Sequence, residues 1–239
     1  MGAVSRNSSV EKMKKLIAEA IGTFGLVLIG TGSIVFDQQF DGLLGNIGIA
    51  TSFGVAVFAM ILSTASTSGA HLNPAVTLGL YFAGKIDVRQ VTLYIAAQIV
   101  GAILASLMIA VAFGTIHSFG VTQPSAGIVS ALLFEVVSTG VLVYIVMKIS
   151  QKKSKSLLSV AALVGCYIFI AAAIGGPISG ASLNPARSVG PALISGNFNH
   201  LWIYLIAPIV GSLVATLFCR RVHGEECCAN CTVIRESTS

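Results

Sequence analysis

Asn73 and Asn184 each stand directly before a proline and an alanine, inside the segments 68–76 (SGAHLNPAV) and 179–187 (SGASLNPAR). Seven of the nine positions agree across a spacing of 111 residues. Asn is a favoured helix N-cap and Pro suits the first helical turn, so Asn73-Pro74-Ala75 and Asn184-Pro185-Ala186 each start a helix at a defined residue. Two ordinary capping turns would account for the Asn and the Pro, but not for their repetition within a longer shared match. If each side-chain oxygen accepts from its own helix, the amide N–H donors are aimed away from it. Two such helix starts at one point would present positive dipole ends and donors together, welcoming a small neutral molecule with lone pairs and repelling a cation. A water held by both donors turns its own hydrogens outward, which interrupts a chain along which protons could hop.

Four further residues carry possible chemistry. Arg187 follows Asn184 by three residues and so lies about one turn along a related helix face. An arginine at membrane depth is expensive, and it is expected to face protein or water and to act in function, with bonding to loop carbonyls as a compatible structural role. Glu19 and Glu135 are acids within apolar stretches, each followed by a small residue and a Thr three and four positions later. They are expected to accept hydrogen bonds from the two loops; a proton-coupled carrier would use the same acids as relays. His71 lies two residues before Asn73, where an ordinary loop histidine is one reading.

The elements that must position these groups follow from composition. The chain has 239 residues, of which 55% are hydrophobic and 10% charged, against about 25% charged in a soluble domain. Six apolar stretches, 16–35, 43–64, 91–112, 125–148, 157–175 and 201–219, reach the ~20 residues that span a bilayer. Arg6, Lys12, Lys14, Lys15, Lys85, Arg89, Lys148, Lys152, Lys153, Lys155, Arg220, Arg221 and Arg235 lie at the two termini and two of the connections, while the three connections on the other side hold no Lys or Arg. The positive-inside rule therefore puts both termini in the cytoplasm. The +5 net charge reads as topology signal and anionic-lipid contact rather than as a nucleic-acid arm. Each motif opens an apolar run, 73–83 and 184–194, about half the length of a span. The chain thus divides into a segment 1–15, a membrane domain 16–219 built of two halves (about 16–115 and 125–219), and a tail 220–239. Three spans per half is odd, so the halves are inverted. Inverted repeats with interrupted helices mark a conduction or binding site near the midplane, and irregular backbone at that depth must line a wet cavity or be buried in protein.

Two SGAxLNPA segments on six apolar spans resemble the signature of the aquaporin, or major intrinsic protein, family, over about residues 16–219. The resemblance implies an all-α polytopic membrane protein of six transmembrane helices plus two re-entrant half-helices meeting end to end. It implies homotetramers with one pore per subunit, a plasma-membrane location, and a constriction made here by Phe53, Ala172, Ala181 and Arg187. It also implies that His71 lines the cytoplasmic half of the pore. Alanine at 172, where water channels usually carry His, makes that wall wider and more apolar. Ser188 after Arg187 departs from the glycerol-channel pattern, and Leu205 replaces a Trp common in water channels. A passive channel for water, with some small uncharged solutes and without ions or protons, is expected; a facilitator mainly for glycerol is the alternative.

No cofactor or metal is expected. The run Gly180-Ala181-Ser182-Leu183 lacks the second glycine of a nucleophile elbow and no HExxH pair occurs, so no enzyme is expected. An adhesive role would need an occluded pore. Cys227, Cys228 and Cys231 in the tail are expected to be reduced thiols, with zinc or S-acylation as alternatives.

Overall fold

The computed structural model describes residues 2–114, 119–151 and 156–223, with side chains from residue 9 to 150 and from 156 within those stretches. Cys227, Cys228 and Cys231 lie outside the described residues, as does His117. Among the described residues eight helices follow one another: α1 (Gly2–Gln39), α2 (Gly45–Ser68), α3 (Pro74–Phe82), α4 (Val88–Phe113), α5 (Ile128–Gln151), α6 (Leu157–Ser179), α7 (Pro185–Ser195) and α8 (Leu201–His223). Six are long and apolar enough to cross a membrane. The other two, α3 and α7, have 9 and 11 residues, about 15 Å of helix and half a bilayer.

Boundaries are set by caps. Asp37 accepts from the N–H groups of Leu44 and Gly45, both at 2.8 Å, closing the short link from α1 to α2. Asp87 accepts from Gln90 N at 2.7 Å and starts α4. α2 and α6 stop at Gly69 and Gly180, both left-handed (φ 89° and 76°), the conformation that glycine adopts at least cost. Each span runs one to four residues past the expected apolar limit at its C-terminal end, whereas at the N-terminal end only α1 and α4 start earlier, α6 and α8 start as expected, and α2 and α5 start two and three residues later. α1 continues without a break across position 15, and α8 passes 219 to His223.

Lipid offers no hydrophobic drive for helices to associate, so they hold by close backbone approach at small residues. The two halves use the same device. A Cβ on Gly101 of α4 would lie 2.2 Å from Ala20 O of α1, and one on Gly211 of α8 would lie 2.4 Å from Val136 O of α5. Ala20 and Val136 directly follow Glu19 and Glu135, so the α1/α4 and α5/α8 crossings are repeat counterparts. α2 and α6 meet at Gly54 and Gly165, where a Cβ on either would be 2.9 Å from the other's carbonyl oxygen. α1–α4 and α5–α8 thus form two matching halves around the central α2/α6 crossing, with α3 and α7 between them.

Candidate functional site: a conduit where two half-helices meet

α3 and α7 begin as their sequences dictate. Asn73 Oδ1 accepts from Ala75 N at 2.8 Å. Asn184 Oδ1 accepts from Ala186 N at 3.0 Å and from Arg187 N at 3.4 Å. One N–H of each amide is taken by the opposite half: Asn73 Nδ2 donates to Leu183 O at 2.7 Å, and Asn184 Nδ2 donates to Leu72 O at 2.9 Å. The donors thus point away from their own helices, and one of each pair is spent on the opposite half. The loop carbonyls at the junction are themselves buried and need partners, which leaves one N–H per amide for a permeating molecule.

The loops before the caps adopt left-handed backbone at Ala70, Leu72, Ala181 and Leu183, with φ between 42° and 52°, a conformation that costs non-glycine residues on the order of 1 kcal/mol or more each. Glu19 and Glu135 hold it. Glu19 accepts from Ser68 Oγ, His71 N, Leu72 N and Gln98 Nε2 at 2.7–2.9 Å. Glu135 accepts from Ser179 Oγ, Ser182 N and Leu183 N at 2.7–2.8 Å. Ser68 Oγ in turn accepts from Ala70 N, and Ser179 Oγ from Ala181 N, each at 3.1 Å. Both carboxylates are 0% exposed, and several donors apiece offset a desolvation penalty of several kcal/mol. The halves differ at one point: Gln98 gives Glu19 its fourth bond, while the counterpart position in α8 is Pro208, which has no side-chain donor.

Two anchors escaped the sequence reading. Tyr94 OH donates to Ser68 O at 2.9 Å and Tyr204 OH to Ser179 O at 2.7 Å, each tying a spanning helix to the start of a loop. Single tyrosines 110 residues apart form no motif; their repeat relation appears only once Ser68 and Ser179 are seen to match.

A cavity of about 150 Å³ passes the junction. Asn73, Asn184 and the loop residues 69–72 and 181–183 contribute its polar side, while Leu26, Val57, Ile61, Leu142, Val160, Val164 and Ile168 are among those forming its apolar side. Phe53, Ala172, Ala181, Arg187 and His71 all line it, and Ala171 joins Ala172 on the α6 wall. Arg187 is 1% exposed. Its Nη1 donates to Gly120 O at 2.9 Å, its Cζ sits 5.1 Å from the Phe53 ring centroid, and Nε and Nη2 have no hydrogen-bond partner among the described residues. Three N–H bonds of a residue that lines the cavity, one on Nε and two on Nη2, therefore have no partner among the described residues. Ser188, the residue after Arg187, is 2.6 Å from Ser182 Oγ and 3.0 Å from Thr122 Oγ1, joining the connection before α5 to the second loop.

His71 Nδ1 lies 3.2 Å from Thr77 Oγ1. The single Thr77 hydroxyl proton is directed at Asn73 O, 3.0 Å away, so Nδ1 is the donor in the His71 contact and Nε2 of the neutral ring is an acceptor. The ring packs edge-on to Tyr94 at 5.0 Å between centroids.

Among the described residues, eight helices in two inverted halves, with two half-helices joined cap to cap beside an internal cavity, define a membrane channel architecture in which the path lies inside one polypeptide. The sequence model described as Major intrinsic protein matches residues 6–219. The chain is 37% identical over 214 residues to Aquaporin NIP1-1 of Zea mays, covering 89% of this chain and 76% of that protein. It is 34% identical over 206 residues to Nodulin-26 of Glycine max, covering 86% and 76%. Among solved structures, the aquaglyceroporin from Plasmodium falciparum superimposes with a TM-score of 0.80 at 29% identity, over 89% of this chain and 97% of that one. The chain belongs to the major intrinsic protein family.

Proposed function

We propose that the protein is a passive channel that conducts water together with small uncharged solutes such as glycerol, and that excludes ions and protons. The observation that carries this reading is the junction itself. Each capping amide keeps one N–H after bonding the opposite half, and both stand at helix N-termini beside the cavity. A dehydrated cation meets two positive dipole ends there, then the Arg187 guanidinium at the narrow point, and nothing at either place replaces its hydration shell. A neutral molecule with lone pairs accepts from the same donors at little cost.

Ala172 and Ala171 supply the size preference. Methyl groups opposite Arg187 give the constriction one donor-rich side and one apolar side, which suits a polyol as well as water. This supports the second reading, a facilitator mainly for glycerol. A proton-coupled carrier is disfavoured because Glu19 and Glu135 each already accept from a serine hydroxyl and two backbone N–H groups that hold the loops. No step of conduction calls for enzymatic chemistry, a cofactor or nucleic acid. The working unit is a homotetramer in the plasma membrane with both termini cytoplasmic, in keeping with the family resemblance and the distribution of basic residues.

Stopped-flow light scattering of proteoliposomes tests the proposal by comparing water efflux with glycerol uptake, with and without a proton gradient. Water efflux several-fold above empty vesicles and indifferent to the gradient is expected. Efflux equal to that of empty vesicles would overturn the proposal, and gradient-driven solute accumulation would install the carrier instead.

A further inference from the structure

Two walls of the constriction come from helices that cross: Phe53 from α2 and Ala172 from α6. Their closest backbone approach, at Gly54 and Gly165, fixes the crossing. The outer portion of α6 is weakened where its wall residues sit. Pro177 has no N–H to return to Ala173 O, the carbonyl four residues earlier, and Ala173 directly follows Ala172. Asn46, in the first turn of α2, donates from Nδ2 to that same carbonyl at 2.6 Å. Room for its side chain is left by Gly176, where a Cβ would lie 2.3 Å from Asn46 Oδ1. Asn46 and Phe53 are seven residues apart, two turns along one face of α2.

We infer that Asn46 is a positioning residue for solute selection, its amide replacing the backbone donor that Pro177 removes and thereby fixing how far the Ala172 wall stands from Phe53. The inference rests on the channel reading above. Nothing about Asn46 touches the permeant. It acts through a carbonyl next to the wall, so its loss alters the size threshold more than the water rate. Pro177→Ala is the complementary change, because an alanine N–H at 177 supplies the bond from within α6 and makes the Asn46 amide redundant.

The test is a double-mutant cycle in proteoliposomes, with the ratio of glycerol to water permeability as the readout. Asn46→Ala is expected to shift that ratio by roughly three-fold or more, the size of effect that losing one neutral hydrogen bond at a barrier produces. Asn46→Asp keeps the shape of the side chain but not its donor, and should give the same shift if Asn46→Ala does not fold. Pro177→Ala alone should leave the ratio near wild type, and Asn46→Ala in the Pro177→Ala background should restore it. An unchanged ratio in the Asn46 variants overturns the inference even if their thermal stability falls, as does an equal shift with and without Pro177. Failure of the channel reading is visible separately, in wild-type vesicles no leakier than empty ones.

Discussion

Gly30 stands behind the aromatic wall of the constriction, and giving it a side chain should narrow the pore. A Cβ at Gly30 would lie 2.4 Å from both Cδ1 and Cε1 of Phe53 and 2.9 Å from Cγ. Carbon atoms pack at ~3.5 Å or more, so in Gly30→Ala the ring must retreat by about 1 Å. α1 blocks one side, and the ring already lines the cavity, so the retreat is into the path and toward the Arg187 guanidinium. Overpacking of this kind costs roughly 1–3 kcal/mol, and about 1.4 kcal/mol added to a permeation barrier is a ten-fold loss of rate. Glycerol is the wider of the two molecules and takes the larger share of that penalty; water, being smaller, takes a fraction of it. Gly30→Ala is therefore expected to reduce glycerol permeability about ten-fold and water permeability about two- to three-fold, with recovery in Gly30→Ala/Phe53→Leu, where the ring is gone. The assay is stopped-flow light scattering normalised to folded protein by size-exclusion chromatography. Equal proportional loss of both fluxes, or no loss in either, would refute the placement of Phe53 at the narrow point.

Arg187→Val removes the fixed charge and the bond to Gly120 O, and should raise proton or sodium leak measured with a pH-sensitive dye under a clamped potential; an unchanged leak would leave the cation barrier to the two caps alone. Ala172→His adds bulk and a polar partner to the α6 wall, and is expected to suppress glycerol uptake more than water efflux, with equal glycerol rates before and after the change counting against the assignment of that wall. Glu135→Gln turns one acceptor oxygen into an N–H donor facing Ser182 N or Leu183 N, leaving a buried donor unpaired at a cost of ~1–3 kcal/mol; a melting temperature in detergent lowered by several degrees is expected, and an unaltered one would mean that the loop does not depend on the carboxylate.

The paired motif made the two halves and their half-helices legible because the physics is local: an Asn cap followed by Pro starts a helix whatever surrounds it. Glu19 and Glu135 were legible for the same reason that they are costly, since an acid in an apolar span demands partners and the irregular loops demand acceptors. What could not be read was anything that depends on distance across the bundle. The cross-half bonds Asn73 to Leu183 and Asn184 to Leu72 join residues 110 and 112 apart and exist only once the halves dock. Tyr94 and Tyr204 look like any other aromatic residues in apolar spans until their hydroxyls are seen to reach Ser68 and Ser179. Pro177 sits inside an otherwise apolar helix, and its tolerance depends on Asn46, 131 positions earlier, which no periodicity connects to it.

The exchange of amide bonds at the midplane has a consequence for descent. A lone three-span half would leave its asparagine and its loop carbonyl without their mates in the middle of the bilayer. The missing contacts are supplied only by a copy lying the other way up. An ancestor of half this length could therefore have closed its own junction only by entering the membrane in both directions and pairing head to foot. Joining two copies in one chain makes that encounter certain, and away from the junction the halves need not match, as Gln98 and Pro208 at counterpart positions show.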